Sequence, residues 1–246
     1  MKRYFTSDLH FGSTNILKYA SRPFSSAKEA RGTLIANINE TCNKSDILFH
    51  VGDFMLRGVD RHDEVEDHGL GDTRDVLLQK IKCPVILLSG NHDDTHNCDT
   101  HIKKMTIDLG CYRNISVSHF PYVPTSEVFD HLRIHLCGHV HDAWIFRYDS
   151  KSNVLNINVG CDAWQFKPVS EIQLIELINQ VYKAKNAGVK IPAILPKNKF
   201  EDFMKMVKNT IAKNRAIRRE EKHLKKGLTP EECERRKQAA MAARGF

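Results

Sequence analysis

The sequence contains no Cys-x-x-Cys pair, and its seven cysteines (42, 83, 98, 111, 137, 161 and 233) are odd in number and irregularly spaced. That pattern argues against a disulfide framework or a thiolate metal site, and it reads as reduced thiols in a cytoplasmic setting. No apolar run approaches the roughly 20 residues needed to cross a bilayer, so no membrane association is expected. The chain opens Met1-Lys2-Arg3 and passes directly into strand-like Tyr4-Phe5-Thr6, so no signal peptide is expected. Residues 1 to 196 have no excess of either charge, with 22 Lys+Arg against 23 Asp+Glu. The basic surplus resides in residues 197 to 246, where 15 Lys+Arg face 7 Asp+Glu. The total of 246 residues, 41% of them hydrophobic, suits one catalytic domain with an appendage.

Five short apolar runs each lead into a polar block. Arg3 to Ser7 precedes Asp8-Leu9-His10, Ile47 to Val51 precedes Gly52-Asp53, Val85 to Ser89 precedes Gly90-Asn91-His92-Asp93, Ile115 to Ser118 precedes His119, and Arg133 to Cys137 precedes Gly138-His139-Val140-His141. Apolar runs of this length read as buried strands, and strand ends are where α/β proteins keep their chemistry. Side chains at i and i+2 of an extended chain point the same way. On that basis Asp8 with His10, and His139 with His141, are each expected to close on a common centre. Imidazoles, carboxylates and one amide oxygen suit borderline divalent ions such as Mn²⁺, Fe²⁺ or Zn²⁺.

The ordered set D-x-H, G-D, G-N-H-[DE], a single H and G-H-x-H resembles the calcineurin-like metallophosphoesterases, and all five blocks occur here in that order over residues 8 to 141. The resemblance implies an α/β sandwich of two mixed β-sheets flanked by helices, and alternating strand-like and helix-like patterns agree with it. It implies two divalent ions, with Mn²⁺ expected first and Fe²⁺, Zn²⁺ or Ni²⁺ as alternatives. Asp8, His10, Asp53 and His141 would hold one ion, Asp53, Asn91, His119 and His139 the other, with Asp53 bridging. His92 would stay unligated and face the substrate as general acid, a role for which histidine's ordinary pKa is suited, and Asp93 would orient it. Gly90 is expected to permit the turn that carries Asn91 and His92 over the site.

Two further residues are candidate substrate contacts. Gly52-Asp53-Phe54-Met55-Leu56-Arg57-Gly58 shares the spacing G-D-x-x-x-R-G with the serine/threonine phosphatase branch, in which the arginine contacts phosphate, although position 56 is Leu where that branch has Asp. Tyr122 is placed to stack on a base or ring. Downstream, Trp144 to Tyr148 and Val154 to Asn158 flank Asp149-Ser150-Lys151-Ser152-Asn153 as a β-hairpin. Residues 156 to 164, followed by Lys167-Pro168-Val169-Ser170, resemble the closing strand and turn of a bacterial and phage branch of the superfamily. Ser170-Glu171-Ile172-Gln173 is a capping box that opens a helix to about Asn186.

The metallophosphoesterase domain is therefore expected over residues 1–190, and a basic helical extension over 191–246. In the extension, apolar residues at 200, 203, 204, 207 and 211 form one helical stripe, and Thr229-Pro230-Glu231-Glu232 marks a second helix start. The basic clusters favour contact with a polyanion such as nucleic acid. Two ions of this kind would clamp a phosphate and lower the pKa of a bridging water for in-line attack. The expected activity is hydrolysis of a nucleic-acid or nucleotide phosphodiester. A phosphomonoesterase acting on protein or small molecules, and a non-catalytic scaffold, are the alternatives. Neither the substrate nor the oligomeric state follows from the sequence.

Overall fold

In chain order the computed structural model contains β1 (Arg3–Thr6), α1 (Asn15–Tyr19), α2 (Ala27–Thr41), β2 (Ile47–Val51), α3 (Arg74–Lys80), β3 (Val85–Leu88), β4 (Lys104–Leu109) and β5 (Tyr112–Ser118). There follow β6 (Arg133–Cys137), β7 (Phe146–Asp149), β8 (Val154–Asn158), β9 (Val169–Ser170), α4 (Glu171–Asn186), β10 (Ile194–Leu195) and α5 (Phe200–Leu224). The structure describes residues 1–55, 73–93, 102–124, 127–224 and 235.

The apolar runs pair into two sheets, ordered β3-β2-β1-β9 and β10-β7-β8-β6-β5-β4. Both are mixed, as expected. In the first, β1 and β2 run parallel with Phe5 opposite Phe49, and β9 closes the edge antiparallel. In the second, β6 runs parallel to both β5 and β8, while β7 and β8 form the expected antiparallel hairpin. Burial along nearly all of β2 and β6 explains why these strands read as apolar runs without alternation. The strand β4 was not anticipated from the sequence, although Met105, Ile107 and Leu109 alternate with polar residues in the period of a half-buried strand.

Helix starts follow local chemistry. Ser26 caps α2 by accepting from Glu29 N, and Ala27, Ala30, Leu34 and Ile38 form its buried face. Ser170 and Gln173 make the reciprocal capping box at α4, with Gln173 N donating to Ser170 Oγ at 3.2 Å and Ser170 N donating to Gln173 Oε1 at 2.9 Å.

The chain divides into two compact units. The first comprises Met1–Ile178 with Pro192–Phe200, and the second comprises Asn179–Ile191 with the α5 residues from Glu201 onward. The first unit holds both sheets, since Ile194 and Leu195 return to pair with β7. In the second, Phe203 and Val207 are buried on α5, whereas Lys205, Lys208, Lys213, Arg215 and Arg218 are exposed. The second expected tail helix, from Thr229, lies outside the described residues. Among the described residues, no helix is long and apolar enough to cross a membrane.

Candidate metal centre

The loops after β1 and β2 run side by side. Asp8 N donates to Gly52 O, His10 N to Asp53 O and Phe11 N to Phe54 O, each at 3.0 Å. Asp8, His10, Asp53, His139 and His141 have φ of 59, 50, 58, 71 and 49°, so all five stand in the left-handed region that side chains beyond glycine rarely adopt. The extended-chain geometry expected for the two D-x-H and H-x-H pairs gives way here. β1 ends at Thr6 and β6 at Cys137, and tight turns, not strand alternation, converge the side chains. Each such residue costs on the order of 1 kcal/mol or more, a cost that clusters at functional sites.

Close backbone approach explains two of the glycines. A β-carbon on Gly138 would lie 2.5 Å from Asp8 Oδ2, and one on Gly90 would overlap the Asp53 carboxylate. Gly90 does not have a positive φ, so what excludes a side chain there is space.

Donor atoms gather in overlapping groups. Atoms of Asp8, His10 and His141 lie within 4.8 Å of one another, as do those of His10, Asp53 and His92, and those of Asp53, His119 and His139. His119 Nε2 is 3.1 Å from both Asp53 Oδ2 and Asn91 Oδ1, and Asn91 Oδ1 is 3.1 Å from His139 Nδ1. The other nitrogen of His119, Nδ1, donates to Val51 O at 2.9 Å. A carbonyl can only accept, so neutral His119 turns the lone pair of Nε2 toward two further acceptor oxygens. Converging lone pairs call for a cation. On the other side, His10 Nε2 is buried with no hydrogen-bond partner among the described residues, 3.5 Å from Asp53 Oδ2 and 4.0 Å from Asp8 Oδ1. An orphaned buried nitrogen beside two buried carboxylates fits a divalent ion by the same reasoning.

The electrostatics agree. Burial pushes the Asp8 carboxyl up against the pull of His119 and His141. Burial acts upward on Asp53 too, but the hydrogen bond and charge of His119, with the His92 N–H, outweigh it and hold Asp53 below the usual carboxylate range. His10 is pushed down to about 3, first by burial. Burial also lowers His119, yet its bond to Asp53 and the charge of Asp8 raise it overall.

A family model described as calcineurin-like phosphoesterase matches residues 1–182. The chain belongs to the calcineurin-like phosphoesterases. These are metal-dependent hydrolases of phosphoric esters, and the histidine and aspartate groups above are this phosphoesterase's candidate sites for divalent ions. The uncharacterized protein MJ1445 of Methanocaldococcus jannaschii is 30% identical over 180 residues, covering 73% of this chain and 92% of that protein. The crystal structure of the protein of unknown function AQ665 from Aquifex aeolicus is 21% identical, with a TM-score of 0.49 over 72% of this chain and 98% of that one.

The phosphoesterase's remaining candidate residues are placed as follows. His92 is exposed at the rim, its ring centroid 5.0 Å from that of His10, and its N–H donates to Asp53 Oδ1 at 2.8 Å. Asp93 is buried and accepts four backbone N–H groups, from Asp53 (2.8 Å), Gly90 (2.7 Å), Phe54 (2.8 Å) and Met55 (3.3 Å). It thereby fastens the Gly52-Asp53 turn to the Gly90-to-Asp93 turn. Tyr122 is half-buried, with its N–H on Asn156 Oδ1 and the Arg133 guanidinium 5.6 Å from its ring. Arg57 lies outside the described residues.

Four residues near the centre carried no functional reading in the sequence. Phe120 is 51% exposed, and its ring centroid lies 4.7 Å from that of His139. Asn158 Nδ2 holds His141 O at 2.7 Å. Asp162 Oδ2 is 3.1 Å from His141 Nδ1, and Arg22 forks onto Asp162. The available signal was a carboxylate in the turn after an apolar strand, which is too common to single out Asp162. A buried arginine such as Arg22 has no local sequence mark.

Proposed function

We propose that this phosphoesterase is a dinuclear-metal phosphodiesterase acting on a nucleic-acid or nucleotide phosphodiester, with His92 as general acid. Asp8, His10, Asp53 and His141 would hold one ion and Asp53, Asn91, His119 and His139 the other. When bound, the ions act as Lewis acids on the phosphoryl oxygens and lower the pKa of water. The nitrogen and oxygen donors suit borderline divalent ions, of which Mn²⁺ is the first proposed, with Fe²⁺, Zn²⁺ and Ni²⁺ as alternatives.

The observation that carries the reading is the position of His92. Its imidazole faces solvent at the edge of the cluster, and its backbone is tied to Asp53. A proton donor held at that edge serves the leaving oxygen of an ester. An alkoxide leaving group, as in a phosphodiester, gains most from it. The exposed ring of Phe120 against His139 supplies a flat apolar surface that suits a substrate carrying a base. Exposed Lys205, Lys208, Lys213, Arg215 and Arg218 on α5 support contact with a polyanion. The free thiols Cys42, Cys83, Cys111, Cys137 and Cys161 support a reducing, cytoplasmic compartment.

The test is hydrolysis by Mn²⁺-loaded protein of bis-p-nitrophenyl phosphate, p-nitrophenyl phosphate, 2′,3′-cyclic nucleotides, and single- and double-stranded DNA and RNA. Diesters are expected to turn over faster than the monoester. A preference for p-nitrophenyl phosphate would make the protein a phosphomonoesterase, and bound metal without turnover of any substrate would make it a scaffold.

A further inference from the structure

Arg22 and Asp162 are 140 positions apart in sequence and form a buried ion pair, their side chains 0% and 2% exposed. Arg22 Nε donates to Asp162 Oδ1 at 2.7 Å and Nη2 to Asp162 Oδ2 at 2.8 Å. The same guanidinium reaches the turn after β1, with Nη2 on Asp8 O at 2.6 Å and Nη1 on Leu9 O at 3.1 Å. Asp162 Oδ2 faces His141 Nδ1 at 3.1 Å, which leaves Nε2 of that ring for the centre. The backbone oxygen of Asp162 in turn accepts from Lys197 Nζ at 2.6 Å.

A buried ion pair is weak evidence of stabilisation, because the cost of desolvating two charges offsets most of their attraction. This pair does something more specific. It joins the segment carrying Asp8 and His10 to the ring of His141, three residues from two distant segments whose donor atoms form one of the groups described above. The opposite group is held by other means, with His119 Nδ1 on Val51 O and the Asp53 turn on the Asp93 carboxylate.

We propose that Arg22 and Asp162 are positioning residues for one half of the metal centre. Asp162 sets the tautomer and direction of His141, and Arg22 locks both Asp162 and the left-handed turn at Asp8 to His10. The ion at Asp8, His10 and His141 depends on the pair, and the ion at Asn91, His119 and His139 does not. This rests on the ligand assignment proposed above.

The decisive measurement is metal binding. Mn²⁺ titration by equilibrium dialysis, with unfolding monitored by circular dichroism, would compare the wild type with Asp162→Asn, Arg22→Lys and the neutral double variant Arg22→Gln/Asp162→Asn. The double variant leaves no lone buried charge. One equivalent should bind as in the wild type, and the other should weaken by about 10- to 100-fold, the usual consequence of losing a carboxylate partner of a ligand histidine. Arg22→Lys should fall between, since an ammonium cannot span two carboxylate oxygens and two carbonyls. A second readout needs no variant. In Zn²⁺-loaded, ¹⁵N-histidine-labelled wild type, His141 should carry its proton on Nδ1. Unchanged binding of both equivalents, equal weakening of both in a folded variant, or an unprotonated Nδ1 of His141 would overturn the proposal. A wild type that binds no metal would instead overturn the ligand assignment beneath it.

Discussion

The N–H of His92 donates to Asp53 Oδ1 over 2.8 Å, so the residue at the rim is anchored to the residue at the centre through its main chain and not through its ring. Truncating the ring should leave that anchor intact. His92→Ala is expected to keep both metals and to lose about 10²- to 10⁴-fold in turnover of a diester with a poor leaving group. The loss should be much smaller for p-nitrophenyl esters, whose leaving group barely needs a proton. Equal losses on the two substrates would remove the general-acid role.

Asp53 lies in both the His10 and the His119 groups, whereas His141 lies only in the group with Asp8 and His10. Asp53→Asn should therefore weaken both metal equivalents, and His141→Ala chiefly one. Elemental analysis of the purified variants, with activity before and after chelation, decides this. Activity that survives full chelation is incompatible with metal catalysis.

A β-carbon on Gly90 would overlap the carboxylate and the backbone nitrogen of Asp53. Backbone cannot yield as a flexible side chain can, so Gly90→Ala should displace Asp53 or open the Asp93 contacts. We expect a stability loss of about 1–3 kcal/mol from overpacking, read by urea titration, and a fall in turnover of order 10²-fold from misplacement of the centre. Turnover close to wild type would show that the two turns can separate at little cost.

His50 is fully buried on β2, and among the described residues neither ring nitrogen has a hydrogen-bond partner. Burial lowers its pKa to about 4, below the ordinary value near 6.5. The unfolded chain then takes up a proton first as the pH falls. The contribution to stability is present above about pH 6.5 and is lost as pH falls toward 4. His50→Leu should flatten the stability profile of the chelated protein over that window by about 2–3 kcal/mol. It should also be no less stable at pH 7, since it removes two unpaired buried polar atoms. Denaturant titrations at pH 7, 6, 5 and 4.5 test both statements, and an unchanged acid slope would refute them.

Exposed Lys205, Lys208, Lys213, Arg215 and Arg218 lie on α5, and the ligand-bearing turns lie in the first unit. Changing all five to Gln should leave hydrolysis of bis-p-nitrophenyl phosphate nearly unchanged and weaken binding to duplex DNA. The log–log salt slope should become shallower by up to about 0.9 for each phosphate contact removed. Substitution is preferable to truncation at residue 197, because Lys197 is bonded to Asp162 O. Identical slopes for the two proteins would assign these charges to a solvated surface.

The sequence alone determined what depends on short-range pattern. It marked the strands that end at the site, because apolar runs and the polar blocks after them are contiguous. It marked the donor types and their order, the capping box at Ser170 and Gln173, and the α5 stripe in which Phe203 and Val207 are buried. It missed β4, whose alternation is short. Tertiary structure alone decided how the donors converge. Positive φ at Asp8, His10, Asp53, His139 and His141 is imposed by the turns closing on one another, with Asp8 N on Gly52 O and His10 N on Asp53 O, so spacing along one segment could not reveal it. The same holds for Arg22 and Asp162. What makes them partners is that the segment after α1 and the turn following β8 meet, which brings together residues 140 positions apart and takes both charges out of water. Burial and contact at that separation are properties of the packed chain, and no local window of residues contains them.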